Sequence, residues 1–228
     1  MENERRIDRT TSMGMDEHRL SDILHASQIK ATDIYETPPQ IIWIDNSTIA
    51  TLGNFSASTG KAKSKKTFNV SALVAASLAG KQVLNYRAHL PEGKQRILYV
   101  DTEQSRFHCR SVLERILRLA GLPTTTDPEN LDFFCLREYS PSVRIEVIDY
   151  ALRQQKGYGL VIIDGIRDLM LDINNAGESV EVINRMMEWS SRYDLHIHCV
   201  LHLNKGDNNV RGHIGTETVS YTHLTLPT

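Results

Sequence analysis

From residue 54 onwards the chain alternates between short apolar segments and longer segments with the apolar spacing of a helix. Strands are predicted at residues 55–59, 96–101, 131–136, 160–164 and 197–203. Helices are predicted at residues 67–78, 106–120, 142–155 and 179–193. Such alternation is typical of βαβ units and a parallel sheet. The segment 160–164 (LVIID) is apolar until its final Asp, as in a strand buried on both faces. We therefore expect an α/β fold with a mainly parallel sheet and helices on both faces.

The first part of the chain lacks this pattern. Residues 1–37 are polar, with one short helix expected at 22–29, and the pair Pro38-Pro39 closes the segment. We interpret 1–37 as an N-terminal arm. The following segments, 41–44 and 48–52, are β-rich and flank a turn-forming stretch, so they predict a small hairpin at the start of a domain spanning 38–217.

The last residues, 219–228 (VSYTHLTLPT), are rich in threonine and do not continue the alternation. They resemble translated sequencing adaptor, so we expect residues 218–228 to be a non-native tail. On that interpretation the natural chain continues differently after about Glu217, and one or more strands are missing. A natural short tail is the alternative.

Composition limits the classes of partner and compartment. The 228 residues include 26 Lys+Arg and 28 Asp+Glu, giving a net charge of −2, so any site for a polyanion must be a local patch. The three cysteines have no paired spacing, which favours reduced thiols in a cytosolic protein. The charged start is unlike a signal peptide, and no apolar run approaches the length of a membrane helix. We expect a cytoplasmic protein that does not act in a membrane.

The segment 60–67 (GKAKSKKT) lies between a predicted strand and a predicted helix. In the phosphate-loop pattern, Gly and four further residues precede Gly-Lys-Ser/Thr, and Gly60, Lys66 and Thr67 fit it while Lys65 replaces the second glycine. Loop and helix N–H groups would face phosphates, Lys66 would reach the β- and γ-phosphates, and the Thr67 hydroxyl would hold Mg²⁺. The alternative is a lysine-rich surface loop. The expected nucleotide-binding residues are Gly60, Lys61, Ala62, Lys63, Ser64, Lys65, Lys66, Thr67 and Phe68.

Two acidic residues follow predicted strands. Asp164 ends the strand 160–164, where a carboxylate supporting Mg²⁺ is expected beside a phosphate loop. Glu103 lies two residues beyond Asp101 at the same predicted edge, and either carboxylate is placed to activate water. The structural alternatives are a loop cap for Asp164 and a helix cap for Glu103.

The segment after the last predicted strand is rich in Gly and Asn and carries further polar groups. His202 and Asn204 lie at the tip of that strand, where a polar side chain can sense a γ-phosphate. Lys205 and Arg211 are candidates for the cation that an arginine finger supplies. Two solvated loop charges are the alternative for this pair.

Histidines within that strand allow a different interpretation. His196, His198 and His202 have the same parity and would share one face, and an HxH pair is able to bind zinc. No carboxylate or cysteine cluster accompanies them in the sequence, so we rank a zinc site below the nucleotide site.

Together the segments TGKAKSKKTF, ILYVDTEQ, LVIIDGIRDL and VLHLNKGDNNVRGHIG resemble, in order, the RecA-like branch of phosphate-loop ATPases. The nearest likeness is to RepA-type hexameric replicative helicases and related AAA-type ATPases of plasmids and mobile elements. It covers about residues 38–217 and implies a RecA-like core. By position, the resemblance makes Glu103 the catalytic glutamate and Asp164 the second acidic motif. It makes His202 and Asn204 the sensor motif, and Arg211, with Lys205, the finger.

The resemblance also implies an activity and partners. It implies Mg²⁺-dependent hydrolysis of ATP by a homo-oligomeric ring such as a hexamer, which acts on single-stranded DNA in the replication or mobilisation of a plasmid or mobile element. Lys65 departs from the family's loop pattern. Two other functions share the same loop: a small-molecule kinase, and a regulator that binds nucleotide without hydrolysis.

Overall fold

The computed structural model of the chain describes residues 17–60, 66–171, 176–202 and 223–225. The chain divides into two compact units, Met1–Thr37 and Pro38–Thr228. In the first, helix α1 spans Glu17–Ser27 and none of its residues is buried. This helix begins and ends earlier than the predicted 22–29 because the polar segment has no strong stop signal.

The second unit contains the remaining elements. Its strands are β1 Gln40–Ile44, β2 Ser47–Thr51, β3 Phe55–Gly60, β4 Tyr86–Ala88, β5 Arg96–Asp101, β6 Leu131–Cys135, β7 Tyr158–Asp164, β8 His196–His202 and β9 His223–Thr225. Its helices are α2 Lys66–Ala79, α3 Arg106–Ala120, α4 Pro141–Gln154, α5 Ala176–Arg192 and a 3₁₀ helix at Ile166–Leu169. Every strand and helix predicted in this unit is present. The sequence did not predict β4, β9 or the 3₁₀ helix.

The main sheet has six strands in the order β6-β5-β7-β8-β3-β9, and all neighbouring strands are parallel. In register, Asp101 of β5 lies opposite Asp164 of β7, and Gly60 of β3 lies opposite His202 of β8. Because the strands are parallel, their carboxyl ends meet at one edge. We call this the carboxyl edge, and among the described residues it is where Gly60, Lys66, Glu103, Asp164 and His202 converge.

Helices cover both faces of this sheet, so the predicted α/β fold with a RecA-like core is confirmed. Alternate residues along each strand enter two separate apolar clusters. Ile97 and Ile162 pack with residues of α2 and α3 on one face. Leu98 and Ile163 pack with residues of α4 and α5 on the other. Strands buried on both faces read as continuous apolar runs, which explains the segment LVIID.

A second, antiparallel sheet has the order β2-β1-β4. It confirms the predicted hairpin and adds β4, in which Ala88 pairs with Ile42 of β1. Apolar residues of this small sheet share one buried cluster with α2. Helix α2 is therefore packed on two sides. No helix within the described ranges has the length and apolarity needed to cross a membrane.

Candidate functional site

Lys66 begins helix α2 at the carboxyl edge, and its side chain is 4% exposed. Burial lowers the pKa of the Lys66 ammonium, because removal from water disfavours the charged form. The negative charges of Glu103 and Asp164 act in the opposite direction and raise it. The structure therefore brings together a buried cation and two carboxylates that the sequence placed on three separate segments.

Asp164 is the last residue of β7 and is 3% exposed. One of its carboxylate oxygens, Oδ2, accepts a hydrogen bond of 2.9 Å from the hydroxyl of Tyr99, a fully buried residue of β5. Burial and the nearby Asp164 charge raise the pKa of Tyr99 well above its ordinary value, so this phenol remains a donor. Tyr99 thus fixes the orientation of a carboxylate that the surrounding apolar strands could not hold by packing alone.

The two acids after β5 have different environments. Asp101 is fully buried, and its carboxylate accepts three hydrogen bonds: from the backbone N–H of Glu103 (3.0 Å), the backbone N–H of Gln104 (2.8 Å) and the side-chain amide of Gln104 (2.7 Å). Burial raises the pKa of Asp101, and these bonds lower it. Glu103 is exposed. Asp101 therefore shapes the turn, and that turn presents the Glu103 side chain to solvent.

Thr102 connects this turn to the end of β7. Its backbone N–H donates to the Asp164 carbonyl at 2.8 Å, and its hydroxyl accepts from the Gly165 N–H at 3.0 Å. The same hydroxyl lies 2.9 Å from Asp168 Oδ2, the carboxylate oxygen to which it donates. Thr102 is 2% exposed. These bonds hold the ends of β5 and β7 at a fixed separation and so set the spacing of Glu103 and Asp164.

The other predicted residues are placed as follows. Gly60 ends β3 beside His202, the last residue of β8. Thr67 is half-buried in the first turn of α2, and Phe68 is 41% exposed. The remaining predicted site residues lie outside the described ranges: Lys61, Ala62, Lys63, Ser64, Lys65, Asn204, Lys205 and Arg211.

The histidines that suggested zinc have other partners. The Ser56 hydroxyl lies 2.8 Å from His196 Nε2 and 2.8 Å from His198 Nδ1, and the Ser58 hydroxyl lies 2.8 Å from His198 Nε2. His196 Nδ1 lies 2.9 Å from the Thr51 carbonyl. We call these four side chains, Ser56, Ser58, His196 and His198, the His–Ser chain. Within the described ranges, no three His, Cys, Asp or Glu side chains are grouped so as to hold a metal ion.

Sequence reasoning missed the residues that support the site. Tyr99 is one apolar-strand residue among several, and no spacing rule links it to Asp164. Thr102 and Gln104 lie in the segment DTEQ, where polar residues before a helix are ordinary. The only available signal was their position between a strand end and a helix start, where side chains commonly bond to nearby backbone groups.

The donor set at the edge suits a divalent cation. The Asp164 carboxylate and the Thr67 hydroxyl are oxygen ligands of the kind that Mg²⁺ prefers, and Mg²⁺ sites use only one or two carboxylates together with substrate phosphates. Lys66 supplies a positive charge at the start of a helix, where phosphate is favoured. The arrangement is therefore chemically able to bind a nucleotide polyphosphate.

Comparison with protein families matches residues 20–208 to a family described as an AAA domain. No curated protein matches the chain. The matched range contains the strands β3, β5, β7 and β8 that carry the edge residues.

Proposed function

Since the chain belongs to the AAA domain family, whose members are generally ATPases, we propose that it binds ATP with Mg²⁺ at the carboxyl edge and hydrolyses it. One observation carries the proposal: the ammonium of Lys66 is buried where the charges of Glu103 and Asp164 both act on it. A buried lysine is rarely retained for stability alone, because burial of the charge is costly. The charges of Glu103 and Asp164 offset part of that cost, but the pKa of Lys66 remains lowered, and a nucleotide phosphate would offset more of it.

Each residue then has a distinct role. Lys66 would contact the β- and γ-phosphates, and the segment 60–65 with Thr67 and Phe68 would supply the remaining phosphate contacts. Thr67 and Asp164 would hold Mg²⁺, which neutralises phosphate charge when bound. Glu103 orients and deprotonates the attacking water, since it is exposed while the neighbouring Asp101 carboxylate is buried and already accepts three hydrogen bonds.

The finer part of the proposal concerns assembly and DNA. We assign γ-phosphate sensing to His202 and Asn204, and a finger that reaches the neighbouring subunit to Arg211 with Lys205. The position of His202 beside Gly60 supports the first assignment. The finger requires a homo-oligomeric ring. The resemblance to RepA-type helicases supports single-stranded DNA as the partner and the replication or mobilisation of a plasmid or mobile element as the process.

The same proposal includes the organisation of the chain and its location. Residues 38–217 form the ATPase domain, residues 1–37 an arm and residues 218–228 a tail that differs from the natural sequence. We place the protein in the cytoplasm.

The test is release of phosphate from ATP, measured with and without Mg²⁺ and with and without single-stranded DNA. Lys66→Ala is expected to lower the rate by about 100-fold or more, because it removes a charge that stabilises the transferring phosphoryl group. Lys81→Ala is the matched control, since Lys81 is an exposed lysine that follows α2 at its other end. Stimulation by DNA supports the helicase-like role.

Two other outcomes would replace this function. Tight ATP binding without phosphate release, even with DNA, indicates a regulator that binds nucleotide only. Turnover that requires a small acceptor molecule indicates a kinase. Equal rates for Lys66→Ala and Lys81→Ala would contradict the placement of the site at the carboxyl edge.

A further inference from the structure

A cleft lies at the edge of the main sheet opposite the carboxyl edge, beside the starts of β5 and β7 and the residue before β8. Its volume is about 370 Å³, within the range of roughly 300–1,000 Å³ that holds small organic ligands. Strand β7 has seven residues, so the cleft lies about 20 Å from the carboxyl edge. It is therefore separate from the proposed ATP site.

Positive side chains line this cleft. They are Lys94, Arg153, Lys156 and Arg192. No aspartate or glutamate is among its lining residues, all of which belong to the described part of the chain. In a chain of net charge −2 this is a local concentration of cations, and such concentrations attract anions.

Three of these cations have acidic partners outside the cleft. Arg153 pairs with Asp149 at 3.3 Å, Arg192 with Glu188 at 3.4 Å and Lys94 with Asp194 at 3.9 Å. At least one partner in each pair is more than half exposed, and such pairs hold little energy, so an anion is able to recruit Arg153 and Arg192. The Lys94 ammonium also donates a hydrogen bond of 2.6 Å to the Tyr193 carbonyl, so it contributes its charge from a fixed position.

Lys156 differs from the other cations. It has no acidic partner within ion-pair distance among the residues that the structure describes, and it is exposed at the rim of the cleft. A ligand with a single negative group would be drawn first to this position.

Two leucines and two tyrosines line the rest of the cleft: Leu152, Leu195, Tyr158 and Tyr193. Leu152, Leu195 and Tyr158 are each at most 5% exposed, so the half-buried ring of Tyr193 is the aromatic surface among them that a ligand can contact.

We propose that this cleft binds a phosphorylated nucleoside unit, with its phosphate at the four cations and its base against the ring of Tyr193. Cations together with an aromatic ring are the usual chemistry of sites for single nucleotides and single strands. A simple carboxylate would use the cations but would have no aromatic group to place against Tyr193. The phosphorylated unit belongs either to a free mononucleotide or to a strand, and the experiment below distinguishes them. This inference does not depend on ATP hydrolysis at the carboxyl edge.

The test measures fluorescence anisotropy of a labelled short oligothymidylate with the full chain carrying Lys66→Ala, so that the proposed ATP site contributes little. In that background, Arg153→Ala with Lys156→Ala is compared with Arg118→Ala with Lys81→Ala. The control pair is closely matched: Arg118 also pairs with an acid one helical turn earlier, and Lys81 also follows a helix end. The same comparison in the unsubstituted chain with a saturating non-hydrolysable ATP analogue serves if Lys66→Ala disturbs folding.

The cleft pair is expected to weaken binding by about tenfold and the control pair by less than about twofold. Competition by thymidine monophosphate would identify a free nucleotide as sufficient, and competition by oligothymidylate alone would identify a strand, so both support the site. Equal weakening by the two variant pairs would overturn the proposal. Competition by polyglutamate as strong as that by oligothymidylate would also overturn it, because the cleft would then bind any polyanion through charge alone.

Discussion

Two groups of buried polar residues lie on neighbouring parts of the main sheet, and they differ in where their hydrogen bonds lead. In the His–Ser chain, each ring nitrogen has a partner within the fold. The Thr51 carbonyl only accepts, so His196 Nδ1 carries a proton and Nε2 accepts from Ser56. His198 Nδ1 then donates to Ser56, and His198 Nε2 accepts from Ser58. Both rings are neutral, and the four bonds run in one direction.

The carboxyl edge is built differently. Its carboxylates carry charge, and two of them act on a buried ammonium that lies on another element. The bond from Tyr99 orients the Asp164 carboxylate, and the bonds of Thr102 fix the backbone beside it, but neither neutralises the charge. The comparison teaches that buried polarity alone does not identify a site. The neutral hydrogen bonds of the His–Ser chain all end within the fold and serve stability. The charged side chains of the carboxyl edge lie beside the start of a helix and are available to a ligand.

The largest expected effect concerns the stability of the His–Ser chain in acid. Burial lowers the pKa of His196 to about 4, and burial with the His196 charge lowers the pKa of His198 to about 3. Both values lie below the ordinary 6.5, so the unfolded chain binds more protons between about pH 3 and pH 6.5. Stability contributed by these neutral rings is therefore complete above pH 6.5 and is lost as the pH falls.

We expect the free energy of unfolding contributed by the two rings to fall by about 2 kcal/mol per ring, or about 4 kcal/mol in total, between pH 7.5 and pH 5. Denaturant unfolding at the two pH values measures it. In His198→Gln this pH dependence should be about halved. If His198→Gln shows the same pH dependence as the unsubstituted chain, the His198 ring is not held neutral in the folded protein.

The second prediction concerns Asp164. Asp164→Asn should lower ATP hydrolysis by about 100-fold or more, equivalent to about 3 kcal/mol of transition-state stabilisation. The amide oxygen still accepts from Tyr99, so the free energy of unfolding should change by no more than about 1 kcal/mol. Asp127→Asn, in an exposed loop, is the control. If the free energy of unfolding falls by more than the transition-state stabilisation does, Asp164 serves stability, as the His–Ser chain does.

The third prediction is that Asp101 stabilises the fold and does not act in hydrolysis. Asp101→Asn turns an amide towards N–H donors and should lower the free energy of unfolding by about 2 kcal/mol. Thermal and denaturant unfolding measure this loss against Asp127→Asn. If Asp101→Asn abolishes hydrolysis without loss of stability, then Asp101 and not Glu103 acts as the base.

The smallest expected effect is that of Tyr99. Tyr99→Phe removes the hydroxyl that orients Asp164 and should lower the free energy of unfolding by about 1 kcal/mol. The Mg²⁺ concentration needed for half-maximal hydrolysis should rise, because the carboxylate is less well oriented. Tyr150→Phe, at an exposed tyrosine of α4, is the control. An unchanged Mg²⁺ requirement would mean that Tyr99 only fills the core.

Much of the fold could be predicted because its signals are local. The apolar run of β7 marks a buried strand. Gly121, which adopts a left-handed φ of 77° directly after α3, marks the end of a helix. The strand β4 was missed since three alternating residues give too short a pattern. Strand order was also beyond local reasoning, because β3 pairs with β8 far along the chain.

The convergence of several candidate site residues at one edge was predictable to a similar extent. Lys66, Glu103 and Asp164 each follow a strand or a loop with a recognisable pattern, and a parallel sheet brings such positions to one edge. The bond from Tyr99 to Asp164 spans 65 residues, and that from Ser56 to His198 spans 142. No spacing rule connects such pairs, because the folded sheet alone determines which side chains meet.

The measurement that tests the central claim most directly separates ATP binding from phosphate release in Glu103→Gln. The substitution keeps the size of an exposed side chain and removes the proposed base, so ATP affinity and stability should be unchanged. Single-turnover phosphate release should fall by a factor of about 100 to 10,000. Glu138→Gln, at another exposed glutamate, should release phosphate at the normal rate. Release by Glu103→Gln at that same rate would contradict the account.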